Sequence, residues 1–427
     1  MEAFHYPRLG ETVYRSKLPN GLTVVVIPRE GFSKKLAYFA AGCGSMHRKF
    51  SMDGAVFEAP MGVAHYLEHK LFDMPGRDIS AEFAELGASV NAFTSYDMTA
   101  YHFSCTDHFE RCLELLLEFV SGPYFTQESV DKEQGIIGQE IDMNVDAPET
   151  RVFENLMEAM YENHPIREPI LGTRKTISAI TPEVLYSCHK AYYRPENMIL
   201  CVVADVPPEQ ILALAERATR DMPCPEVTLE VGWQESSACQ MNAVTVQMEV
   251  ARPMFQLGFK CDDFGTGEEA AYWEFVGDLA AEALFGESSE LYLQMYEQGL
   301  IDPSFAGGLD IVPGMALLTA TGDSDDPEAI RQAILEQGQK IARDGIPEAD
   351  FLRMKRSTLG GKLRGLDSFD SVCFRVCAYQ FTGFDYFRFP EIYETINRED
   401  VRRFIEKTVV PERCCLSVVE PKEDNQC

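Results

Sequence analysis

The stretch Gly62–Phe72 reads GVAHYLEHKLF and holds His65, Glu68 and His69 in the pattern H-x-x-E-H, with no helix breaker between them. On a helix, residues four apart stack on one face, and the residue at i+3 lies beside them. Two imidazoles so placed can reach one ion, with a carboxylate held alongside. Neutral imidazole suits zinc, and two histidines plus one carboxylate leave a fourth position open for water. That open position separates a catalytic zinc from a structural one. Two histidines do not complete such a site, so a further ligand has to come from elsewhere. The segment KEQGIIGQEIDM offers Glu133 and Glu140, seven residues apart and therefore on one helix face. Ordinary solvated helix glutamates show the same spacing.

Several elements must position these groups. LPNGLTVVVIPR predicts an Asn-Gly turn and a strand, and LAYFAAGCG a second strand ending in a Gly-rich turn. SVNAFTSYDMTAYHFSC reads as a strand or hairpin turning near Ser95–Asp97. HFERCLELLLEFVSG is an amphipathic helix with Cys112, Leu115, Leu116 and Phe119 on one face, and a longer helix from Glu128 carries Glu133 and Glu140. The apolar strand NMILCVVADV closes the first half. Residues 1–224 are expected to form one repeat, residues 225–242 a linker rich in Pro and polar residues, and residues 243–427 a second repeat. The second half follows the first in outline, the pattern of an internal duplication. There Asp278 and Glu282 fall where His65 and His69 would stand, and Lys362 where Glu140 would stand. That copy is expected to keep the fold without the metal site.

The length of 427 residues fits two domains. The excess of 68 acidic over 38 basic residues, a net charge of −30, argues against nucleic acid and against anionic membrane surfaces as partners. The start lacks the basic and apolar regions of a signal peptide, and no apolar run approaches a bilayer-spanning length. Thirteen cysteines, odd in number and without a repeating frame, read as reduced thiols. Together these features predict a cytoplasmic protein.

HYLEH followed by NAFTS and then by a helix with E-x6-E resembles the pitrilysin/insulinase family of zinc peptidases, the inverzincins. LPNGL near the start and HPIREPILGT at 164–173 extend the resemblance over nearly the whole chain. HYLEHKLF, PYFT and KEQGIIGQEI look closest to the family's bacterial YmfH-like branch. The resemblance implies an α+β fold of two homologous repeats, each a mainly antiparallel β-sheet with helices packed on one face, as in mitochondrial processing peptidase and LuxS. It further implies that His65, His69 and Glu140 bind Zn2+ and that Glu68 is the general base acting on the metal-activated water. Glu133 would be an accessory carboxylate orienting the ligands. Asn91, Ala92, Phe93 and Thr94 would belong to an edge strand that pairs with an extended peptide substrate through its main chain.

One departure bears on catalysis. The family places an Arg and a Tyr, spaced R-x6-Y, in its second repeat to polarise the substrate carbonyl. The corresponding stretch here is LQMYEQGLIDPSF, with Tyr296 near the Arg position and Asp302 or Pro303 near the Tyr position. A Tyr cannot supply a guanidinium's fixed charge. Two-repeat members act as clam-shell dimers, so the resemblance implies a dimer. An inactive homologue supplying the Arg/Tyr pair in a heterodimer is the preferred arrangement, with a homodimer second. The expected activity is zinc-dependent endopeptidase cleavage of peptides in a chamber. The alternative is a non-catalytic peptide-binding or assembly subunit.

Overall fold

The computed structural model describes residues 1–230 and 232–422. Val231, within the expected linker, and residues 423–427, at the end of the expected second repeat, lie outside the described residues. The chain forms two compact units whose segments interleave. One comprises residues 1–141, 169–230 and 363–388; the other comprises 142–168, 232–362 and 389–422. Relative to two consecutive repeats, each half thus contributes one segment to the unit built mainly from the other half.

The first unit is built on seven strands: β1 (Glu2–Tyr6), β2 (Glu11–Lys17), β3 (Thr23–Pro28), β4 (Lys35–Ala41), β5 (Ser89–Thr94), β6 (Thr99–Cys105) and β7 (Met198–Ala204). Their order is β1-β2-β3-β7-β4-β6-β5, and every neighbouring pair is antiparallel except β3 with β7. Strand alternation sends Ala37, Phe39, Tyr101, Phe103, Leu200 and Val202 to one face, where they enter a single core with the helices Phe109–Ser121 and Pro208–Thr219. Burying each large apolar side chain there contributes roughly 1.5–3 kcal/mol. Besides this helical layer, one further helix, Phe369–Thr382, lies on the opposite face against β4 and β7. The sheet centre is therefore buried on both sides, which explains why β7 reads as a continuous apolar run.

The hairpin expected near Ser95–Asp97 is β5–β6. Its turn is closed by Ser95 N–H donating to Met98 O (2.8 Å), and Ser95 Oγ accepts from Met98 N–H (3.1 Å). Two helices complete the part of this unit that matters for chemistry, α1 (Val63–Leu71) and α2 (Gln127–Val145). Gly62 starts α1 at φ 91°, in the left-handed region, where an added Cβ would stand 2.4 Å from Leu171 O. Only glycine fits there, and it sets the angle at which the motif helix leaves the loop. Part of the expected linker is ordered, since Val227–Leu229 pairs with Lys49–Met52 in a small sheet completed by Ala55–Glu58.

The second unit carries β8 (Ala243–Met248), β9 (Met254–Lys260), β10 (Ala306–Val312), β11 (Met315–Asp323) and β12 (Cys414–Pro421), in the order β8-β12-β9-β11-β10. Only β8 with β12 is parallel. This is the order of β3-β7-β4-β6-β5, with the parallel pair in the same place, so the duplication inferred from the sequence is visible in the topology. One face of this sheet packs against α3 (Pro148–Met160), from the chain's first half. Gly258 of β9 permits the approach, because a Cβ there would lie 2.7 Å from Met160 Sδ. Further helices are α4 (Gly267–Phe285), α5 (Glu290–Glu297), α6 (Pro327–Asp344), α7 (Glu348–Arg364) and α8 (Arg398–Thr408), with the short helix Phe389–Thr395 before the last. Among the described residues no helix is long and apolar enough to cross a membrane.

Candidate metal centre

Helix α1 is fastened to α2 on its buried side. The Tyr66 hydroxyl, on a fully buried ring, donates to Val130 O at 2.5 Å. Lys70, also fully buried, donates to Ser129 O at 3.3 Å and pairs with Asp73. These anchors turn the other side of α1, with His65, Glu68 and His69, towards the carboxylates of α2.

The ligand atoms of His65, His69 and Glu140 all lie within 4.8 Å of one another. His65 Nε2 stands 3.6 Å from Glu140 Oε1, and His69 Nε2 stands 3.6 Å from Glu140 Oε2. Both separations exceed hydrogen-bond length. Atoms bound to one tetrahedral ion at about 2.1 Å are roughly 3.4 Å apart. The three groups are therefore close enough to hold one ion between them, and the donor set of two imidazoles and a carboxylate suits zinc. His69 Nδ1 is 3.0 Å from Glu133 Oε1, which fixes the ring with Nε2 towards Glu140. Glu133 thus holds the His69 ring, as a carboxylate behind a metal-bound histidine would.

The surroundings push the two imidazoles in opposite directions. Burial, helped by the neighbouring His69, pulls His65 down to about 3, so it is neutral and able to ligate. Burial also disfavours the His69 cation, but the bond to Glu133 and the charges of Glu68, Glu133 and Glu140 outweigh it and raise this group. Burial raises Glu68, partly opposed by its hydrogen bond from Thr94 and by His69. Burial pushes Glu133 up, yet its bond to His69 and the charges of His69, Lys70 and Lys132 bring it below the usual carboxylate range.

The four edge-strand residues divide. β5 is the outer strand of its sheet, hydrogen-bonded only to β6. Thr94 Oγ1 donates to Glu68 Oε2 at 2.8 Å and stands 3.5 Å from Thr99 Oγ1, which itself donates to Cys43 O at 2.7 Å. Phe93 points to the other face of the sheet, with ring centroids 5.8 Å from Phe374 and 6.4 Å from Tyr38. Asn91 is exposed, and its Oδ1 accepts the Ala92 N–H at 2.9 Å. Of the four, only Thr94 is brought to the α1 carboxylate. The link between Thr94 and Glu68 was missed in the sequence; strand alternation, which puts Val90, Ala92 and Thr94 on the α1 side, was the available signal.

The second unit has a counterpart. Lys362 Nζ of α7 is 2.7 Å from Asp278 Oδ2 of α4, with Lys362 4.7 Å above the Phe275 ring. An ion pair stands where the first unit has its histidine–glutamate cluster, on the positions that the repeat comparison singled out.

Comparison with known proteins agrees with this geometry. Residues 53–174 match the model of insulinase (peptidase family M16), and residues 179–358 match that of the peptidase M16 inactive domain. The uncharacterized zinc protease YmfH of Bacillus subtilis is 36% identical, over 99% of this chain and 100% of that one. A crystal structure of an M16-like peptidase from Alicyclobacillus acidocaldarius superposes with a TM-score of 0.93 at 29% identity, over 99% of this chain and 100% of that one. A protease from Helicobacter pylori shares the fold, with a TM-score of 0.82 at 18% identity over 96% of this chain and 99% of that one. The chain belongs to the insulinase family, peptidase family M16, in the branch of the bacterial YmfH proteins.

Proposed function

We propose that this chain is a zinc-dependent metalloendopeptidase. The observation that carries the reading is the cluster of His65, His69 and Glu140 with the Glu68 carboxylate beside it on the same helix. These three residues would hold the ion, and Glu133 would keep His69 aligned. Zinc, when bound there, supplies a Lewis acid that makes water a nucleophile near neutral pH. Glu68 takes the proton from the attacking water and delivers it to the leaving amine. Thr94 holds the Glu68 carboxylate while β5, an open sheet edge, pairs with the peptide main chain. Backbone pairing selects extended substrates more than particular side chains.

The reading includes a partner. In LQMYEQGLIDPSF, Tyr296 lies parallel to Tyr292 at 6.2 Å, and Asp302 is bound to Arg252 at 3.0 Å and accepts from Ser304. Arg252 is also bound to Asp325, so its charge is spent within this segment. On this reading a homologous subunit brings the Arg/Tyr pair, in a cytoplasmic dimer. The same contacts favour the second reading, a peptide-binding or assembly subunit.

The test is peptide cleavage by the purified, zinc-loaded chain alone, with Glu68→Gln as control. Turnover by wild type and none by the variant, at equal zinc content, supports a self-sufficient enzyme. Bound zinc without turnover points to the missing partner, to be sought by co-purification. A chain that binds no zinc defeats the catalytic reading.

A further inference from the structure

The second unit contains a cavity of about 620 Å³, within the range of small-molecule sites. It lies where the end of α4, the start of α5, the end of α6, the start of α7 and the first residue of α8 converge. Its floor is apolar, made by the buried side chains Ala283, Ile341, Ile346 and Met354, and Leu293 stands half exposed at its mouth.

The corresponding corner of the first unit is lined differently. There the loop between the Phe109–Ser121 helix and α2 drives Phe125 inward against Tyr186, with centroids 4.8 Å apart and the Phe125 N–H donating to the Tyr186 hydroxyl at 2.9 Å. In the second unit the equivalent loop is Gly345-Ile346-Pro347, whose buried Ile346 is smaller than an aromatic ring, and α8 begins with Arg398.

The polar groups around it are unevenly satisfied. The carboxylates already have partners: Glu290 receives Lys340 at 2.8 Å and Gln294 at 3.2 Å, and both Asp344 oxygens receive Arg343 at 2.9 Å. Asp350 is paired with Arg353 at 3.6 Å. The donors are not fully used. Arg398 makes no hydrogen bond or ion pair among the described residues, Lys340 uses one of its three N–H groups, and Arg353 hydrogen-bonds only to the Ser288 hydroxyl. A ligand here must accept hydrogen bonds at one end and be apolar along its body.

We propose that this cavity binds an aliphatic monocarboxylate, its carboxylate on Arg398 and its chain over Leu293, Ile341, Ile346 and Met354. A peptide fits less well. Its amide N–H groups would meet carboxylates already paired with Lys340, Arg343 and Arg353, and donors left unpaired over an apolar floor are costly. The inference does not depend on the proposed peptidase activity.

The experiment is calorimetric titration of the full chain with decanoate below its micelle concentration. Decanol and decyltrimethylammonium test the charge, and a short peptide ending in leucine tests the rival ligand. Expected are saturable binding of decanoate, no comparable binding of the other three, and at least about tenfold weaker binding to Arg398→Ala, the scale of one charge-assisted hydrogen bond. Leu293→Glu should weaken decanoate as well, and both residues are surface-exposed, so the variants should fold. A variant with His65→Ala and His69→Ala should bind as wild type does. The proposal fails if decanoate does not saturate, if Arg398→Ala binds it unchanged, or if the alcohol or cation binds equally. It also fails if the peptide binds more tightly, or if binding disappears with the two histidines.

Discussion

Replacing Thr94 by valine isolates the hydroxyl that joins the edge strand to the α1 carboxylate. Valine keeps the branched shape and suits a strand, so β5 and its register against β6 should persist. What is lost is one hydrogen bond of 2.8 Å to Glu68 Oε2. Glu68 is half-buried, and burial works against its charged form. A bond to a charged group contributes about 1.5–3 kcal/mol, and about 1.36 kcal/mol is a factor of ten in rate. The expected loss in kcat/KM is therefore about tenfold to a hundredfold. It should fall mainly on kcat, because Thr94 holds the base rather than the substrate. Thr94→Ser restores the hydroxyl and should return most of the activity. The assay is peptide cleavage over a range of substrate concentrations, in whatever subunit composition is active, with zinc measured in parallel. Unchanged kcat in the valine variant would refute the reasoning, since Glu68 would then be held by something else. Loss of zinc would refute it too, because Thr94 contacts none of the three ligand residues.

Glu133→Gln should weaken zinc affinity about tenfold to a hundredfold while leaving the ligands in place, measured by competition with a chelating dye. Glu235 should set part of the acid stability of the second unit. Its carboxylate receives Lys260 at 3.0 Å and the backbone N–H groups of Glu162 (3.3 Å), Asn163 and His164 (2.6 Å). Burial alone would raise it, but these donors hold it below its ordinary value. Its contribution is then complete above the unfolded carboxylate pKa of about 4.3 and is lost as pH falls through the lower folded value. Burial likewise lowers His164, against the opposing bond to Pro313 O, so its contribution is present above its unfolded pKa of about 6.5 and fades as pH falls below it. Glu235→Gln should cost about 1.5–3 kcal/mol near neutrality, the scale of a hydrogen bond to a charged group, and flatten the acid limb. Trp233, packed on His164 with centroids 4.7 Å apart, gives a fluorescence readout.

The two histidines of α1 and the carboxylate beside them were legible because i, i+3 and i+4 are local geometry, which no tertiary choice can rearrange while the helix stands. The pairing of Asp278 with Lys362 was legible by repeat logic, since both keep the helix positions of the groups they replace. Thr94 was placed on the correct strand, but its attachment to Glu68 depends on how α1 crosses β5, which pattern alone does not specify. The exchanged helices, Pro148–Met160 and Phe369–Thr382, were hidden for a related reason. An amphipathic face announces that something covers it and does not name the partner. β1 and β2 escaped notice because their residues are mostly exposed or half-buried, leaving little alternation to read. The linker looked featureless, yet Val227–Leu229 became a strand and Glu235 a buried anion once other segments supplied partners.

The shared strand order has a bearing on synthesis. Of the five strands the two sheets have in common, the one made last is inserted between the first two, β7 between β3 and β4 and β12 between β8 and β9. Neither sheet can close its middle until that strand has left the ribosome, and the first sheet then waits again for helix Phe369–Thr382. Long-range closure of this kind is slow and leaves apolar edges open. β3, β4 and β9, each rich in fully buried residues, are thus the segments a nascent chain must keep from pairing wrongly.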